Sequence, residues 1–122
     1  MSRVVPIATL VGKTFDSVVL SKDKTELTFK GPWGEYSLFH DRDCCEWVEL
    51  EEMDGDLDYL VGTPILSAAE STNQDGDCPD MSCTWTFYLI TTLKGSVHLR
   101  WLGTSNGYYS EEVELHEMEV VL

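Results

Sequence analysis

One short stretch holds most of the side chains in this chain that could do chemistry. Residues 40–46, HDRDCCE, place one imidazole, two thiols and three carboxylates within seven positions. These are the ligand types that zinc and iron bind in proteins. The candidate metal ligands are therefore His40, Asp43, Cys44, Cys45 and Glu46.

The spacing of these residues argues against a ready-made metal site. Structural zinc sites usually repeat a pair of ligands, two to four residues apart, at a second place in the chain. No CxxC pair occurs here. If Cys44 and Cys45 lie on a strand, their thiols point to opposite faces and do not easily bind one ion. We therefore expect no cofactor, with zinc as the alternative.

A catalytic role for the same stretch is the third interpretation. His40 or Glu46 would act as a general base and a cysteine as a nucleophile. We favour a structural role, because a buried cysteine is a good small hydrophobe and polar residues at a strand end can satisfy backbone groups. The sequence contains no HExxH, GxSxG or glycine-rich phosphate loop. We therefore predict no catalytic residue.

The redox compartment decides whether the cysteines of this chain are thiols or disulfides. There are four of them: Cys44, Cys45, Cys78 and Cys83. The first fifteen residues contain a short apolar run but no small-residue cleavage site, so we predict no signal peptide. A cytoplasmic protein rarely keeps disulfides, which favours thiols or metal ligation. In an oxidising setting, Cys78 and Cys83 could close a loop.

Negative charge is concentrated in the middle of the chain. The net charge is −14, and residues 41–80 carry thirteen acidic side chains against Arg42 alone. Such a field repels nucleic acids and anionic membranes and attracts basic protein surfaces. Simple solubility is the alternative explanation. The candidate partner-binding acids are Glu49, Glu51, Glu52, Asp54, Asp56 and Asp58.

A second stretch, residues 101–110, is dense in aromatic and hydroxyl side chains and reads WLGTSNGYYS. Aromatic and small hydroxyl residues around a glycine turn suit a protein-binding surface or a small-molecule pocket. The alternative is a hairpin whose aromatic residues belong to the core. The candidate partner-binding residues here are Ser105, Asn106, Tyr108 and Tyr109.

Short strands must position both stretches. Alternation predicts strands within residues 14–20, 25–30, 36–40, 47–53, 64–70, 83–93, 97–102 and 108–115. Asp56 is predicted to cap a short helical turn that Gly62 ends. Residues 83–93 carry bulky groups on both faces, which predicts a central strand covered on both sides. Residues 71–82 are predicted to form a polar loop.

These elements predict one compact domain over residues 1–122 that is mainly β with one short helix. The strands should form an antiparallel meander, as a rolled sheet, a sandwich or a partly open barrel.

The chain resembles a family of small uncharacterised proteins found mainly in bacteriophages and prophages. The strings HDRDCCEWV, GDLDYLVGTPILSAAE and TWTFYLITTLKGSVHLRWLGTSNGYYSEEV carry the resemblance, which spans about residues 10–116. It implies a phage source and a compact β-rich fold. It brings no established activity, cofactor or catalytic residue.

The leading functional hypothesis is a non-enzymatic phage protein in the host cytoplasm. It would bind a host or antiviral-defence protein and inhibit it. The bound surface would be a basic surface of that partner, one that otherwise holds nucleic acid. Direct binding to nucleic acid or to a membrane is not expected. The alternative is a metal- or small-ligand-binding protein in which residues 40–46 and 101–110 form a pocket. A small virion or assembly component is a third hypothesis.

Overall fold

The structure, a computed structural model, describes residues 2–32, 34–42, 45–73, 81–107 and 110–118. Within these ranges the chain forms nine strands and two short 3-10 helices, Ile7–Leu10 and Leu57–Leu60. The strands are β1 (Ser2–Val5), β2 (Ser17–Leu20), β3 (Glu26–Gly31), β4 (Gly34–Phe39), β5 (Trp47–Asp54), β6 (Ser67–Asn73), β7 (Ser82–Thr92), β8 (Gly95–Ser105) and β9 (Glu114–Met118).

The strands form two separate antiparallel sheets. The first sheet has the order β1-β9-β4-β3-β2, and the second has the order β5-β8-β7-β6. The prediction of a mainly β, antiparallel fold is confirmed. The chain leaves the first sheet after β4 and returns to it at β9, so residues 40–46 and 106–113 are the two crossovers between the sheets.

The inner faces of the two sheets share one hydrophobic core. The first sheet contributes Leu27, Phe29, Tyr36, Leu38 and Leu115, and the second contributes Leu50, Tyr88, Ile90, Leu99 and Trp101. Alternation along each strand causes this division, because successive side chains point to opposite faces. A sheet with one face buried and one face solvated is typical of antiparallel proteins.

The predicted covering of both faces of residues 83–93 was wrong. β7 is central within its sheet, but Leu89 on its outer face is 45% exposed. Bulky residues therefore occupy both faces of this strand, while only the inner face is in the core. The outer face carries an aromatic surface described below.

Three predicted boundaries were also wrong. β6 begins at Ser67 and runs to Asn73, so residues 71–73 of the predicted loop belong to a strand, while residues 74–80 lie outside the described residues. Residues 103–105, predicted as a turn, continue β8. Of the strand predicted over 108–115, residues 110–113 are not strand, β9 begins at Glu114, and residues 108–109 lie outside the described residues. Glycine in a strand can mark a close approach of another segment rather than a turn, and this explains the misassigned turn.

The predicted cap at Asp56 is confirmed. Its carboxylate oxygen accepts a hydrogen bond of 3.0 Å from the backbone N–H of Asp58 at the start of the helix Leu57–Leu60. Gly62 follows with a φ of +82°, a conformation that glycine adopts without strain. In the part of the chain that the structure describes, no helix has the length and apolar character needed to cross a membrane.

Candidate functional site

The two stretches that the sequence singled out lie next to each other. β4 pairs with β9, with Phe39 opposite Glu114, and β5 pairs with β8, with Trp47 opposite Thr104. The segment that leaves Phe39 for Trp47 must therefore run beside the segment that leaves β8 for Glu114. The hydrogen bond between His40 and the backbone of Glu112 shows where the two crossovers meet.

The imidazole of His40 joins both crossovers. Its Nδ1 donates to the backbone carbonyl of Glu112 at 2.9 Å, and its Nε2 lies 3.0 Å from Oε2 of Glu46. The Glu46 side chain is fully buried and the His40 side chain is 8% exposed. A carbonyl oxygen only accepts, so Nδ1 must carry a proton.

This geometry leaves one proton between Nε2 and the Glu46 carboxyl. The pair is either an imidazolium with a carboxylate or a neutral imidazole with a carboxylic acid. In both forms, each ring nitrogen of His40 is already engaged. A metal ion or a substrate proton could reach Nε2 only if the bond to Glu46 broke first. The arrangement therefore suits a buried cross-link between segments better than a ligand or a general base.

The oxidation state of the described cysteines also differs from what the sequence led us to expect. Cys45 and Cys83 are both disulfide-bonded, whereas the sequence favoured thiols or metal ligation and left a disulfide of Cys83 open only for an oxidising setting. A sulfur in a disulfide is not the thiolate that binds a metal. In this state Cys45 is not available to zinc. The other two metal candidates, Asp43 and Cys44, lie outside the described residues.

Among the described residues, no three His, Cys, Asp or Glu side chains are grouped so that they could hold a metal ion. His40 and Glu46 are together, but they bind each other.

A second buried carboxylate lies on the other crossover. Glu111 is 5% exposed, and three hydroxyl groups donate to it. Thr84 donates to Oε1 at 2.9 Å, Ser82 donates to Oε1 at 3.2 Å, and Ser105 donates to Oε2. The hydroxyl groups replace the water that this carboxylate loses on burial. Glu111 thus ties the second crossover to β7 and β8.

Sequence reasoning missed Glu111. Its three donors lie on two strands, up to 29 positions away along the chain. No local pattern marks such a cluster, since only the pairing of β7 with β8 brings Ser82 opposite Ser105.

Gly103 allows the second crossover to lie directly on the sheet. A Cβ atom at this position would be 2.1 Å from the backbone oxygen of Glu111. No side chain fits that space, so residue 103 has to be glycine for Glu111 to reach Ser105 and Thr84. The glycine in the WLGTSNG string therefore serves close backbone contact inside β8.

The partner-binding residues predicted in the second stretch separate into different environments. Ser105 is 5% exposed and donates to Glu111, so its hydroxyl is part of the interior. Asn106 is exposed. Tyr108 and Tyr109 lie outside the described residues.

A cleft of about 240 Å³ opens beside the first crossover. The turn before β3 forms one side of it with Asp23, and residues up to Val48 form the other with Arg42 and Trp47. Hydrogen bonds from Thr25 and Ser21 lower the pKa of the Asp23 carboxyl below its ordinary value. None of the described residues of 101–110 lines this cleft, although the two stretches are neighbours.

The predicted acidic residues form an exposed strip along the edge of the second sheet. We call Glu49, Glu51, Glu52, Asp54, Asp56 and Asp58 the acidic strip. Glu49 is half-buried, and the other five are exposed. β5 is an edge strand, so this negative charge borders the sheet. Within the described residues, Glu52 is the member of the strip that forms an ion pair, with Arg100 of β8.

Aromatic rings lie on the outer face of the second sheet, next to the acidic strip. The rings of Trp85 and Phe87 are stacked with centroids 6.3 Å apart and an angle of 6° between their planes. The guanidinium of Arg100 lies 5.2 Å from the Trp85 centroid and 5.8 Å from that of Phe87. Trp47, at the start of β5, is 41% exposed.

The comparisons with known proteins add a family and no activity. Neither the curated proteins nor the solved structures include a match to this chain. One family model, described as a domain of unknown function (DUF7448), matches residues 8–115 and so spans both crossovers and both sheets. The chain belongs to this family, DUF7448.

Proposed function

We propose that this protein is a non-enzymatic binding protein whose acidic strip engages a basic surface of another protein. The exposure of the strip is the observation that carries the proposal. Its five exposed carboxylates lie on β5 and at the start of the short helix that follows it. Among the described contacts of the strip, Glu52 forms an ion pair and Asp56 caps a helix, so the fold accounts for two of its six carboxylates.

The sign of the charge selects the class of partner. The residues of the strip lie within a segment of 40 residues that holds twelve more acidic than basic side chains. Complementary potentials accelerate association and suppress wrong partners, and their effect decreases as salt rises. A basic protein surface fits this field, while a nucleic acid or an anionic membrane is repelled.

In its specific form, the proposal is that the protein is phage-encoded and acts in the host cytoplasm. It would inhibit a host or antiviral-defence protein by covering a basic surface that otherwise holds nucleic acid. Two observations support this form: the resemblance of the HDRDCCE and SNGYYS strings to phage proteins, and a row of carboxylates that presents negative charge as phosphates do.

The test is capture of partners from a host lysate at low salt. The bait is the wild type, a strip variant (Glu51→Gln with Asp54→Asn) or a control variant (Asp16→Asn with Glu114→Gln). Both variants lose two charges at exposed positions. We expect the wild type and the control to recover the same protein, the strip variant to lose it, and moderate salt to release it. Recovery of no protein, or equal recovery by both variants, would contradict the proposal.

One observation favours the alternative of a metal- or small-ligand-binding protein, namely that the two crossovers do lie together. Elemental analysis of the purified protein tests it. Stoichiometric zinc or iron that is lost on Cys44→Ser or His40→Ala would favour the alternative. The engaged ring nitrogens of His40 lead us to expect no stoichiometric metal at this residue.

A further inference from the structure

We propose that the outer face of the second sheet recognises arginine side chains of the partner, so that the interface reads guanidinium groups and not positive charge alone. This inference rests on the proposed function, because it names the chemistry of the surface that the acidic strip attracts. The recognition surface consists of the rings of Trp47, Trp85 and Phe87 together with the carboxylates of Glu49 and Glu52.

Strand register brings these five side chains to one face. On β8, the buried Leu99 and Trp101 alternate with Arg100 and Leu102, which therefore point outward. Glu52 is opposite Arg100, and Arg100 is opposite Phe87. Paired positions share a face of the sheet, so carboxylate, guanidinium and ring form one row across three strands.

A second row has the same kinds of ends, with Leu102 in the middle position, and the guanidinium of Arg100 from the first row reaches its Trp85 ring. Glu49 is opposite Leu102, and Leu102 is opposite Trp85. Strands are spaced about 5 Å apart, which places the Glu49 carboxylate and the Trp85 ring about 10 Å apart across Leu102. A guanidinium from outside can lie over Leu102, with the ring on one side and the carboxylate on the other.

Within the protein, two arginine side chains already make the kind of contact that we propose for the partner. Arg100 pairs with Glu52 and lies over the rings of Trp85 and Phe87, with distances of 5.2 Å and 5.8 Å to their centroids. Arg42 lies 5.5 Å from the centroid of Trp47. Two arginines thus show how the rings of this face accept a guanidinium.

Arginine fits this face better than lysine for a physical reason. A guanidinium is planar and weakly hydrated, so it stacks on a ring while its edge donates to a carboxylate. An ammonium is compact and strongly hydrated, and it gains less from the ring. Charge alone would attract both equally, so the part of an arginine preference that is lost when a tryptophan is removed measures the contribution of the rings.

The test uses two labelled peptides of equal charge, four Arg-Ser repeats and four Lys-Ser repeats, and measures binding by fluorescence anisotropy at low salt. We expect the wild type to bind the arginine peptide at least about fivefold more tightly, in line with about 1 kcal/mol for a partly exposed cation–π contact. Trp85→Ala and Trp47→Ala should each reduce this ratio. Leu93→Ala is the control, since Leu93 is 81% exposed in the β7–β8 turn and outside both rows.

The possible outcomes separate the inference from the proposed function. If both peptides bind equally, or if both tryptophan variants keep the ratio, the inference is overturned while charge-based binding stands. If the strip variant (Glu51→Gln with Asp54→Asn) binds both peptides as tightly as the wild type does, the proposed function fails as well. Unchanged unfolding midpoints identify the variants that are folded, and Trp47→Ala is the safer one because Trp47 is 41% exposed.

Discussion

At the scale of single residues, burial and hydrogen bonding decide what the HDRDCCE stretch does. The sequence showed ligand types and singled out His40 and Glu46 among the candidate metal ligands, without pairing them with each other. It could not show that one ring nitrogen of His40 is hydrogen-bonded to the backbone of Glu112 and the other to the side chain of Glu46. The contact with Glu112 joins residues 72 positions apart, which only the fold brings together.

The His40–Glu46 pair should matter for stability. Glu46→Ala leaves the Nε2 atom of a buried imidazole without its partner, and we expect the free energy of unfolding to decrease by about 3 kcal/mol. Glu46→Gln should cost less, because its amide can donate to a neutral imidazole. Urea unfolding measures both. Asp41→Ala, at an exposed neighbouring position, is the control and should change stability by less than about 0.5 kcal/mol. A Glu46→Ala variant as stable as this control would contradict the cross-link.

Tyr88 should make stability depend on alkaline pH. Its hydroxyl donates to the Val113 carbonyl at 3.0 Å and lies 3.2 Å from Oε1 of Glu70. Burial, and then the negative charge of Glu70, raise the pKa of this hydroxyl far above its ordinary value. The unfolded chain loses the proton near pH 10 while the folded chain keeps it, so stability is lost as pH rises above about 10.

Comparison with Tyr88→Phe isolates this effect. At pH 8 the wild type should be more stable by about 1 kcal/mol, the net contribution of a typical hydrogen bond. Between pH 9 and pH 11 its advantage should shrink by about 1.4 kcal/mol, since each pH unit above the unfolded pKa costs that much. An advantage that stays constant over this range would show that the folded Tyr88 ionises normally.

At the scale of elements, the sequence predicted most strands but not their partners. Alternation located β3 and β5 closely, because each has one apolar face, and a run of bulky residues on both faces located β7. It could not show that β4 pairs with β9 across the whole chain, which is the pairing that makes residues 40–46 a crossover. The glycine-rich string after Trp101 predicted a turn, whereas Gly103 lies within β8 below Glu111.

Gly103→Ala tests the close contact between β8 and the second crossover. A methyl group would meet the Glu111 backbone oxygen at 2.1 Å, so the crossover must move away from the sheet. We expect a loss of about 1–3 kcal/mol in urea unfolding, as for other overpacked interiors. Thr104→Ala, one residue further on the outer side of β8, is the control and should cost well under about 1 kcal/mol. Equal effects at both positions would argue against the contact.

The disulfide-bonded state of Cys45 and Cys83 can be measured directly. Without reductant, Cys45 and Cys83 should resist alkylation under denaturing conditions, and peptide mapping reads each residue separately. Reduction should lower the free energy of unfolding by about 2–4 kcal/mol. Quantitative alkylation of Cys45 or Cys83 before reduction would show that the residue is a thiol, as the sequence-based expectation had it.

At the scale of the whole molecule, two sheets share one core and leave one charged and aromatic face outside. The concentration of acidic residues was visible in the sequence, and the structure places the acidic strip at a sheet edge beside Trp85 and Phe87. That neighbourhood was not predictable, because it depends on the register of β5, β8 and β7. The crossovers are held by buried hydrogen bonds, and the outer face is the surface that we propose for partner binding.

The most direct test of that assignment is carbodiimide cross-linking of the protein to its partner in a host lysate. The reagent joins carboxylates to lysine amines that are in contact, and mass spectrometry identifies the linked residues. We predict links at the exposed members of the acidic strip, foremost Glu51, Asp54 and Asp58. Links at Asp16 or Glu114 with none in the strip, or no cross-linked protein at all, would contradict the account.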